Sequence, residues 1–296
     1  MAKLVSSADE LRPDRRALAL VPGLESGAAP LDAVRLTGGS VNDVWRIDTR
    51  QGRFVLRLDA AASRRPGVDR QREYLIHQVA AQALIAPQIV ARSPAGDVWV
   101  TEFIEARSWR DLDYTDASQL QRLAETLGVL HRLSVPAGLT SFNPAQLGHS
   151  YAAAGVAAAG AANDGVAIHN RLYADQLCKA IARSVGHFPV AATQCLVHGD
   201  PTAGNILDRR QLWLLDWEYA QLADPVFDVA AVLVYYPRAR AHLPLLLAAS
   251  GLAAAGRDGR LQAAARIHAA LGWLWQWARG ENPSFEAGIL GGEWAN

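Results

Sequence analysis

Short segments of apolar, β-branched and aromatic residues dominate the first third of the chain, and turn signals separate them. Such segments are typical of strands, and residues 50–52 are placed like the turn of a β-hairpin. The predicted strands cover residues 31–36, 43–48, 53–58 and 97–104. After the Pro66-Gly67 break, apolar and polar side chains recur at helical spacing over residues 69–84. The pattern therefore predicts an antiparallel sheet plus one helix in this part of the chain.

Beyond residue 105 the apolar positions change to the spacing of helices. Leu120, Leu123, Leu127 and Leu130 recur at three and four residues, so one face of this helix is predicted to be buried. Asp116 precedes them in the position of an N-cap. Further helices are predicted over residues 171–185, 243–249 and 261–278 and after Asp224-Pro225, and short strands over residues 195–198 and 211–216.

These patterns predict an α+β protein of two lobes. The N-terminal lobe, residues 1–105, is predicted to hold the antiparallel sheet and its helix, and the C-terminal lobe, residues 106–296, to be mostly helical. The Ala/Gly-rich segment 151–162 is either a weakly specified helix or a mobile connector, because alanine favours helix.

Charge and composition narrow the class of protein. The 296 residues include 29 Lys and Arg against 29 Asp and Glu, so no surplus positive potential is available for phosphates. We therefore expect no nucleic acid and no membrane as partner. No apolar run approaches the roughly 18 residues of a membrane span. The two cysteines, Cys178 and Cys195, cannot form a disulfide framework, which favours a cytoplasmic location.

The densest group of chemically active side chains starts at His198 and ends at Glu218. Phosphoryl transfer requires a carboxylate that orients an acceptor hydroxyl and receives its proton, plus oxygen ligands for Mg²⁺. Asp200 suits the first role, and His198 precedes it by two residues and is expected to orient it. Asn205 and Asp216 suit the second role. The alternative is a hydrated turn that is rich in polar residues.

This segment resembles the catalytic loop and metal-binding motif of the aminoglycoside phosphotransferase and choline kinase superfamily, distant relatives of protein kinases. The H-x-D-x-x-x-x-N spacing matches over 198–205, and Asp216-Trp217-Glu218 stands where protein kinases carry D-F-G. The segments 216–220 and 224–228 are similar to the choline, ethanolamine and thiamine kinase branch. The resemblance implies a protein-kinase-like fold, ATP and Mg²⁺ as cofactors, and a small-molecule hydroxyl acceptor. It also implies that Asp228 supports the catalytic loop, although a polar helix face is the alternative.

A glycine-containing loop lies between the first two predicted strands, at the place where these kinases cover the nucleotide. Glycine lets backbone N–H groups approach phosphate oxygens, and Gly38, Gly39, Ser40 and Asn42 are the candidates. A Gly-Gly-Ser sequence is equally an ordinary turn.

The other nucleotide contacts are implied by the resemblance. Arg57 stands on the strand that contacts phosphates, where protein kinases carry lysine, and Glu73 is expected to pair with it from the following helix. The alternatives are a sheet-surface arginine and a solvent-facing glutamate. Phe103 and Ile104 lie in the segment that binds adenine through backbone groups in this family.

The acceptor site is the least standard part of the sequence. Trp273 and Trp277 share a face of the last predicted helix, whereas Trp275 points about 200° away. Aromatic faces attract desolvated organic cations, and this helix resembles the aromatic C-terminal helix of thiamine and choline kinases. Burial in the core is the alternative for these tryptophans. Glu218 is a further candidate for contact with the acceptor.

The expected acceptor is thiamine, then choline or ethanolamine, then another small alcohol or a sugar. An aminoglycoside requires several carboxylates around a polycation, and the last third of the chain offers chiefly Glu281 and Glu286. The rival functions are an aminoglycoside or sugar phosphotransferase and a catalytically inactive nucleotide-binding scaffold.

Overall fold

The computed structural model describes residues 13–36, 42–59, 65–160, 164–188, 194–253 and 259–284. The chain divides into two compact units, of which the first comprises Met1–Arg65 and Ala86–Ala106. The second comprises Pro66–Ile85 and Arg107–Asn296. The helix predicted over 69–84 is thus grouped with the second unit. The lobe limits 1–105 and 106–296 remain a prediction from the sequence.

The first unit is built on a five-stranded antiparallel sheet with the strand order β1-β2-β3-β5-β4. The strands are β1 (Asp32–Arg35), β2 (Asp43–Thr49), β3 (Gly52–Leu58), β4 (Ile89–Arg92) and β5 (Val98–Glu102). Alternate residues of β2 and β3, such as Ile47 and Leu56, are fully buried, as the period-two geometry of a strand requires. A short helix, α1 (Arg15–Leu18), packs Ala17 against this core.

The second unit holds the remaining α-helices of the described residues. They are α2 (Arg70–Gln82), α3 (Ala117–His131), α4 (Pro144–Ala159), α5 (Gly165–Val185), α6 (Val226–Tyr235), α7 (Leu243–Ala249) and α8 (Arg260–Ala278). Asp116 caps α3 by accepting from the N–H groups of Ser118 and Gln119, at 2.8 and 3.1 Å. The four leucines of its predicted face are fully buried or nearly so. The predicted α+β fold is therefore confirmed.

Two small sheets of the second unit position the catalytic segment. One pairs β7 (Cys195–Val197) with β10 (Gln221–Ala223). The other has the order β6-β8-β9, with β6 (Arg107–Ser108), β8 (Ile206–Asp208) and β9 (Leu212–Leu214). Since β8 and β9 form a hairpin, the residues immediately before and after it come together.

The Ala/Gly-rich segment 151–162 belongs to a regular helix through Ala159. In α4, a Cβ atom at Gly148 would contact Ile181, and one at Gly155 would contact the ring of Trp277. The small residues therefore let α5 and α8 approach α4 closely. Of the two alternatives for this segment, the helix is observed over its described part.

Candidate active site

The β8–β9 hairpin brings the two predicted metal ligands to neighbouring positions. Ile206 pairs with Leu214, and the Leu215 N–H donates to the Asn205 carbonyl at 2.8 Å. Asp216 follows directly, and its backbone is left-handed, with φ 59°. That conformation is uncommon for a residue with a side chain, so the surrounding structure must hold it.

Asn205 fixes the predicted catalytic carboxylate. Its Nδ2 donates to the Asp200 carbonyl at 3.0 Å and to the Asp200 Oδ2 at 2.9 Å. Both hydrogen bonds use the amide nitrogen, so they orient the Asn205 amide oxygen away from Asp200. The two residues that the spacing selected therefore form one hydrogen-bonded unit.

His198 links the loop that carries Asp200 to the end of the β8–β9 hairpin. The ring is fully buried, its Nε2 lies 2.9 Å from the Leu215 carbonyl, and the Asp200 N–H approaches its Nδ1 at 3.3 Å. Nε2 must therefore donate and Nδ1 accept, which defines a neutral imidazole. Burial lowers the pKa of His198 and favours this neutral form. The predicted orienting role fits this geometry.

Asp228 holds the start of the same loop. Its Oδ1 accepts from the Gly199 N–H at 2.8 Å, and its Oδ2 accepts from the His198 N–H at 3.1 Å. His131 of α3 adds a third contact, with its Nε2 at 2.8 Å from Oδ2. Burial alone would raise the pKa of Asp228, but these partners hold it below its ordinary value. Asp228 is fully buried, so the polar helix face is excluded and the supporting role is the one observed.

Two tyrosines hold the other end of the loop. The Tyr114 hydroxyl donates to the Pro201 carbonyl at 2.6 Å, and the Ala203 N–H donates to the Tyr236 hydroxyl at 2.7 Å. Their rings stack with centroids 3.6 Å apart. No local sequence pattern indicates this pair, because it depends on packing between distant segments.

Burial changes the acidity of the candidate base. Burial raises the pKa of Asp200, the Asn205 hydrogen bond lowers it and the negative charge of Glu218 raises it, and together they bring it to about 6. A base is most effective when its pKa lies near the working pH. Asp200 is therefore a stronger base than an ordinary aspartate and is still ionised at neutral pH.

A cavity of about 220 Å³ opens beside Asp200 within the second unit. Its described walls come mainly from α4, α6, α8 and the segment around Tyr219, and Asp200 is the one carboxylate among them. The aromatic lining residues are Phe142, Tyr151, Tyr219, Phe227, Tyr235 and Trp275.

Trp275 is the tryptophan of α8 that lines this cavity, and its Nε1 donates to the Tyr219 hydroxyl at 2.8 Å. Trp273 and Trp277 are 5% and 3% exposed, and Trp273 packs edge-on against Tyr173. The face shared by Trp273 and Trp277 thus points into the helical core, towards α4 and α5. The structure therefore corrects the assignment of Trp273 and Trp277 to the acceptor site. Helical spacing placed these two tryptophans and Trp275 on different faces of α8, but it could not show which face lines the cavity.

A model of the phosphotransferase enzyme family matches residues 32–280 of the chain. The chain belongs to the phosphotransferase enzyme family. The resemblance to aminoglycoside phosphotransferases and choline kinases is thereby confirmed, and the enzyme transfers a phosphoryl group to a hydroxyl acceptor. A comparison with curated proteins found no match.

Solved structures share the fold of this phosphotransferase. A choline/ethanolamine kinase family protein from Mesorhizobium loti is 21% identical, with a TM-score of 0.65 over 95% of this chain and 90% of that chain. The choline kinase LicA from Streptococcus pneumoniae is 15% identical, with a TM-score of 0.69 over 90% and 92%. An ADP-bound aminoglycoside phosphotransferase is 16% identical, with a TM-score of 0.56 over 90% and 97%. The predicted kinase-like fold is confirmed.

Glu73 and Glu218 share one arginine in the phosphotransferase structure. Arg70 Nη1 lies 2.7 Å from Glu73 Oε2 and 3.3 Å from Glu218 Oε2. Glu73 is fully buried, so the solvent-facing alternative is excluded. The position of Arg70, one helical turn before Glu73, is a sequence signal for this ion pair.

The predicted nucleotide contacts of the first unit are described in part. Arg57 Nε lies 3.4 Å from Asp59, and its guanidinium lies 4.7 Å from the centre of the Trp99 ring. The Arg57 side chain is 15% exposed, so it is not an ordinary sheet-surface residue. Its pairing with Glu73 would join the two units and stays a prediction.

The remaining candidates of the first unit flank the sheet. Asn42 precedes β2, and within the described residues its Oδ1 atom is buried without a hydrogen-bond partner. Phe103 and Ile104 follow β5, and the Phe103 N–H is already used by the Arg53 carbonyl at 3.1 Å. Gly38, Gly39 and Ser40 lie outside the described residues.

The donor set at the end of the hairpin fits a magnesium ion. Asn205 presents an amide oxygen and Asp216 a carboxylate, and Mg²⁺ prefers such hard oxygen ligands, usually one or two from the protein together with phosphates and water. No cluster of three or more His, Cys, Asp or Glu side chains suited to a metal occurs among the described residues.

None of the helices in the described part of the chain has the length and apolar character of a membrane span.

Proposed function

We propose that this phosphotransferase moves the γ-phosphoryl group of ATP to the hydroxyl of a small organic cation, with thiamine as the first candidate and choline or ethanolamine next. One observation carries the proposal. Asp200, whose carboxylate is fixed by Asn205, is the sole acidic residue among the described walls of an aromatic cavity.

Asp200 acts on the acceptor hydroxyl. Its carboxylate accepts a hydrogen bond from the O–H group and receives the proton while the hydroxyl oxygen forms a bond to the γ-phosphorus. The bond between that phosphorus and the β–γ bridging oxygen breaks, and ADP leaves. The neutral His198 and the hydrogen bonds from Asn205 keep the carboxylate in place through this step.

Asn205 and Asp216 would hold Mg²⁺ through their side-chain oxygens. When bound, the ion neutralises charge on the phosphates. Arg57 would contact phosphate oxygens, with Glu73 as its positioning partner, while residues 38–42 would cover the phosphates. The backbone around Phe103 and Ile104 would bind the adenine.

The cavity walls support a cationic acceptor of low charge. Aromatic rings attract a desolvated organic cation by about 0.5–2 kcal/mol each, and Asp200 balances one positive charge. An aminoglycoside carries several charges, and the carboxylates to match them are missing from the described walls. Glu281 is paired with Arg279 at 2.8 Å, and Glu286 lies outside the described residues.

The test is ADP release with Mg²⁺ and ATP in separate reactions with thiamine, choline, ethanolamine and kanamycin, with detection of each phosphorylated product by mass spectrometry. We expect phosphate ester from thiamine or from one of the two amino alcohols. Product from kanamycin alone would instead support the aminoglycoside alternative. Tight ATP binding with no product from any acceptor would support the inactive scaffold.

A further inference from the structure

His268 is a polar residue in the wall of the acceptor cavity, and the proposed transfer does not use it. The residue lies on α8 and lines the same cavity as Asp200. Its Nε2 atom is buried, and within the part of the chain that the structure describes no hydrogen-bond partner reaches it. The rings of His268 and Tyr235 pack edge to face, with their centroids 5.1 Å apart.

The imidazole of His268 is neutral under working conditions. Burial lowers its pKa to about 4, although the negative charge of Asp228 opposes this shift. A neutral ring does not repel a cationic acceptor. It still has one N–H donor and one lone pair, and a buried polar atom left without a partner is costly. His268 therefore favours a molecule in the cavity that brings a complementary polar group to Nε2.

We propose that His268 is a specificity-determining residue, and that the acceptor carries a second hydrogen-bonding group, besides its reacting hydroxyl, that pairs with His268 Nε2. This inference rests on the proposed function, because it concerns the molecule whose hydroxyl lies at Asp200. The hydroxyl and the second group are then held at two points of one aromatic cavity.

The proposal separates the candidate acceptors by their chemistry. The quaternary ammonium of choline has no N–H group, so choline leaves Nε2 without a partner. The ammonium of ethanolamine donates, and the aminopyrimidine of thiamine offers both a donor and ring-nitrogen acceptors. An alcohol with such a second group is therefore favoured over an alcohol of equal charge that lacks it.

A matched pair of probes tests this directly. Thiamine is compared with 3-benzyl-5-(2-hydroxyethyl)-4-methylthiazolium, which keeps the cationic ring and the hydroxyl but replaces the aminopyrimidine by a phenyl ring. Ethanolamine and choline form the second pair. For the wild type, His268→Phe and His268→Gln, kcat/KM is measured for each compound. The exposed His169→Phe on α5 controls for the substitution itself.

We expect His268→Phe to lower kcat/KM about tenfold for the member of each pair that has the second group, and less than twofold for the other member. His268→Gln, whose amide reaches the position of Nε2, should restore most of the loss. An equal loss for both members of a pair would show a structural role and overturn the proposal, as would no loss for either.

The proposed function is judged separately. If no compound is turned over, the proposed function fails, and calorimetric titration of the same compounds into wild type and His268→Phe then decides the inference. A tenfold weaker affinity of the variant for the member with the second group supports it. Equal affinities, or no binding to the wild type, overturn it.

Discussion

Asp228→Asn perturbs the catalytic loop through one buried side chain. The substitution keeps the shape of the side chain but turns one of its oxygens into an NH₂ group. Oδ1 accepts from the Gly199 N–H, whereas Oδ2 accepts from the His198 N–H and also contacts the His131 ring nitrogen. Whichever oxygen is replaced, at least one buried donor loses its acceptor and faces another donor.

The magnitude follows from these three contacts. An unsatisfied buried donor costs about 1–3 kcal/mol, and the hydrogen bonds that remain lose the strength that the carboxylate charge gave them. We expect a loss of about 2–4 kcal/mol in the free energy of unfolding, which lowers Tm by roughly 5–10 °C. Because the donors belong to the loop that carries Asp200, kcat should fall about 10- to 100-fold as well.

Thermal denaturation and ADP release measure the two effects. Asp224→Asn is the matched control, because Asp224 precedes the same helix, accepts from the Val226 N–H and pairs with Arg260 at 2.7 Å, and neither partner belongs to the catalytic loop. It should lose stability but keep kcat within about threefold. Wild-type Tm and kcat in Asp228→Asn, or an equal loss of kcat in both variants, would contradict the role of Asp228 in holding the catalytic loop.

Two further predictions concern the same loop. Gly199 has φ +80°, and a Cβ there would lie 2.6 Å from the Tyr219 carbonyl oxygen, so Gly199→Ala should lower the free energy of unfolding by about 2–4 kcal/mol. Gly204→Ala is the control, because no atom lies within 4 Å of its Cβ position, and its free energy of unfolding should stay within about 1 kcal/mol of wild type. Urea titration measures both variants, and equal stabilities would contradict the prediction. Because the pKa of Asp200 is raised to about 6, the base is lost as pH falls, so kcat/KM for the acceptor should drop tenfold per pH unit below about 6. A flat profile between pH 5 and 8 would contradict the role of Asp200 as base.

Local sequence signals predicted the elements that depend on them. The strands β2 and β3, the capped helix α3 and the catalytic loop all follow from periodicity, cap residues and motif spacing, because those features act over a few residues. The H-x-D-x-x-x-x-N spacing indicated that Asp200 and Asn205 lie together. The structure adds the hydrogen bonds between them and the left-handed backbone at Asp216.

Features that depend on packing between distant segments could not be read from the sequence. The support of the loop by Tyr114 and Tyr236 joins residues far apart in the chain. The cavity-facing position of Trp275 depends on where α8 meets α4, and Gly155 determines that by admitting the ring of Trp277. Helical spacing separates the faces of α8, but only the packed neighbours decide which face is core.

The role of Asp200 is tested most directly by the turnover of Asp200→Ala with whichever acceptor yields product in the ADP-release assay. We expect product formation to fall about 10²–10⁴-fold, while nucleotide affinity measured by calorimetry stays within about threefold of wild type. Asp175→Ala, which removes an exposed carboxylate paired with Lys179, should leave both unchanged. Turnover by Asp200→Ala equal to that of the wild type would contradict the role of Asp200 as the base.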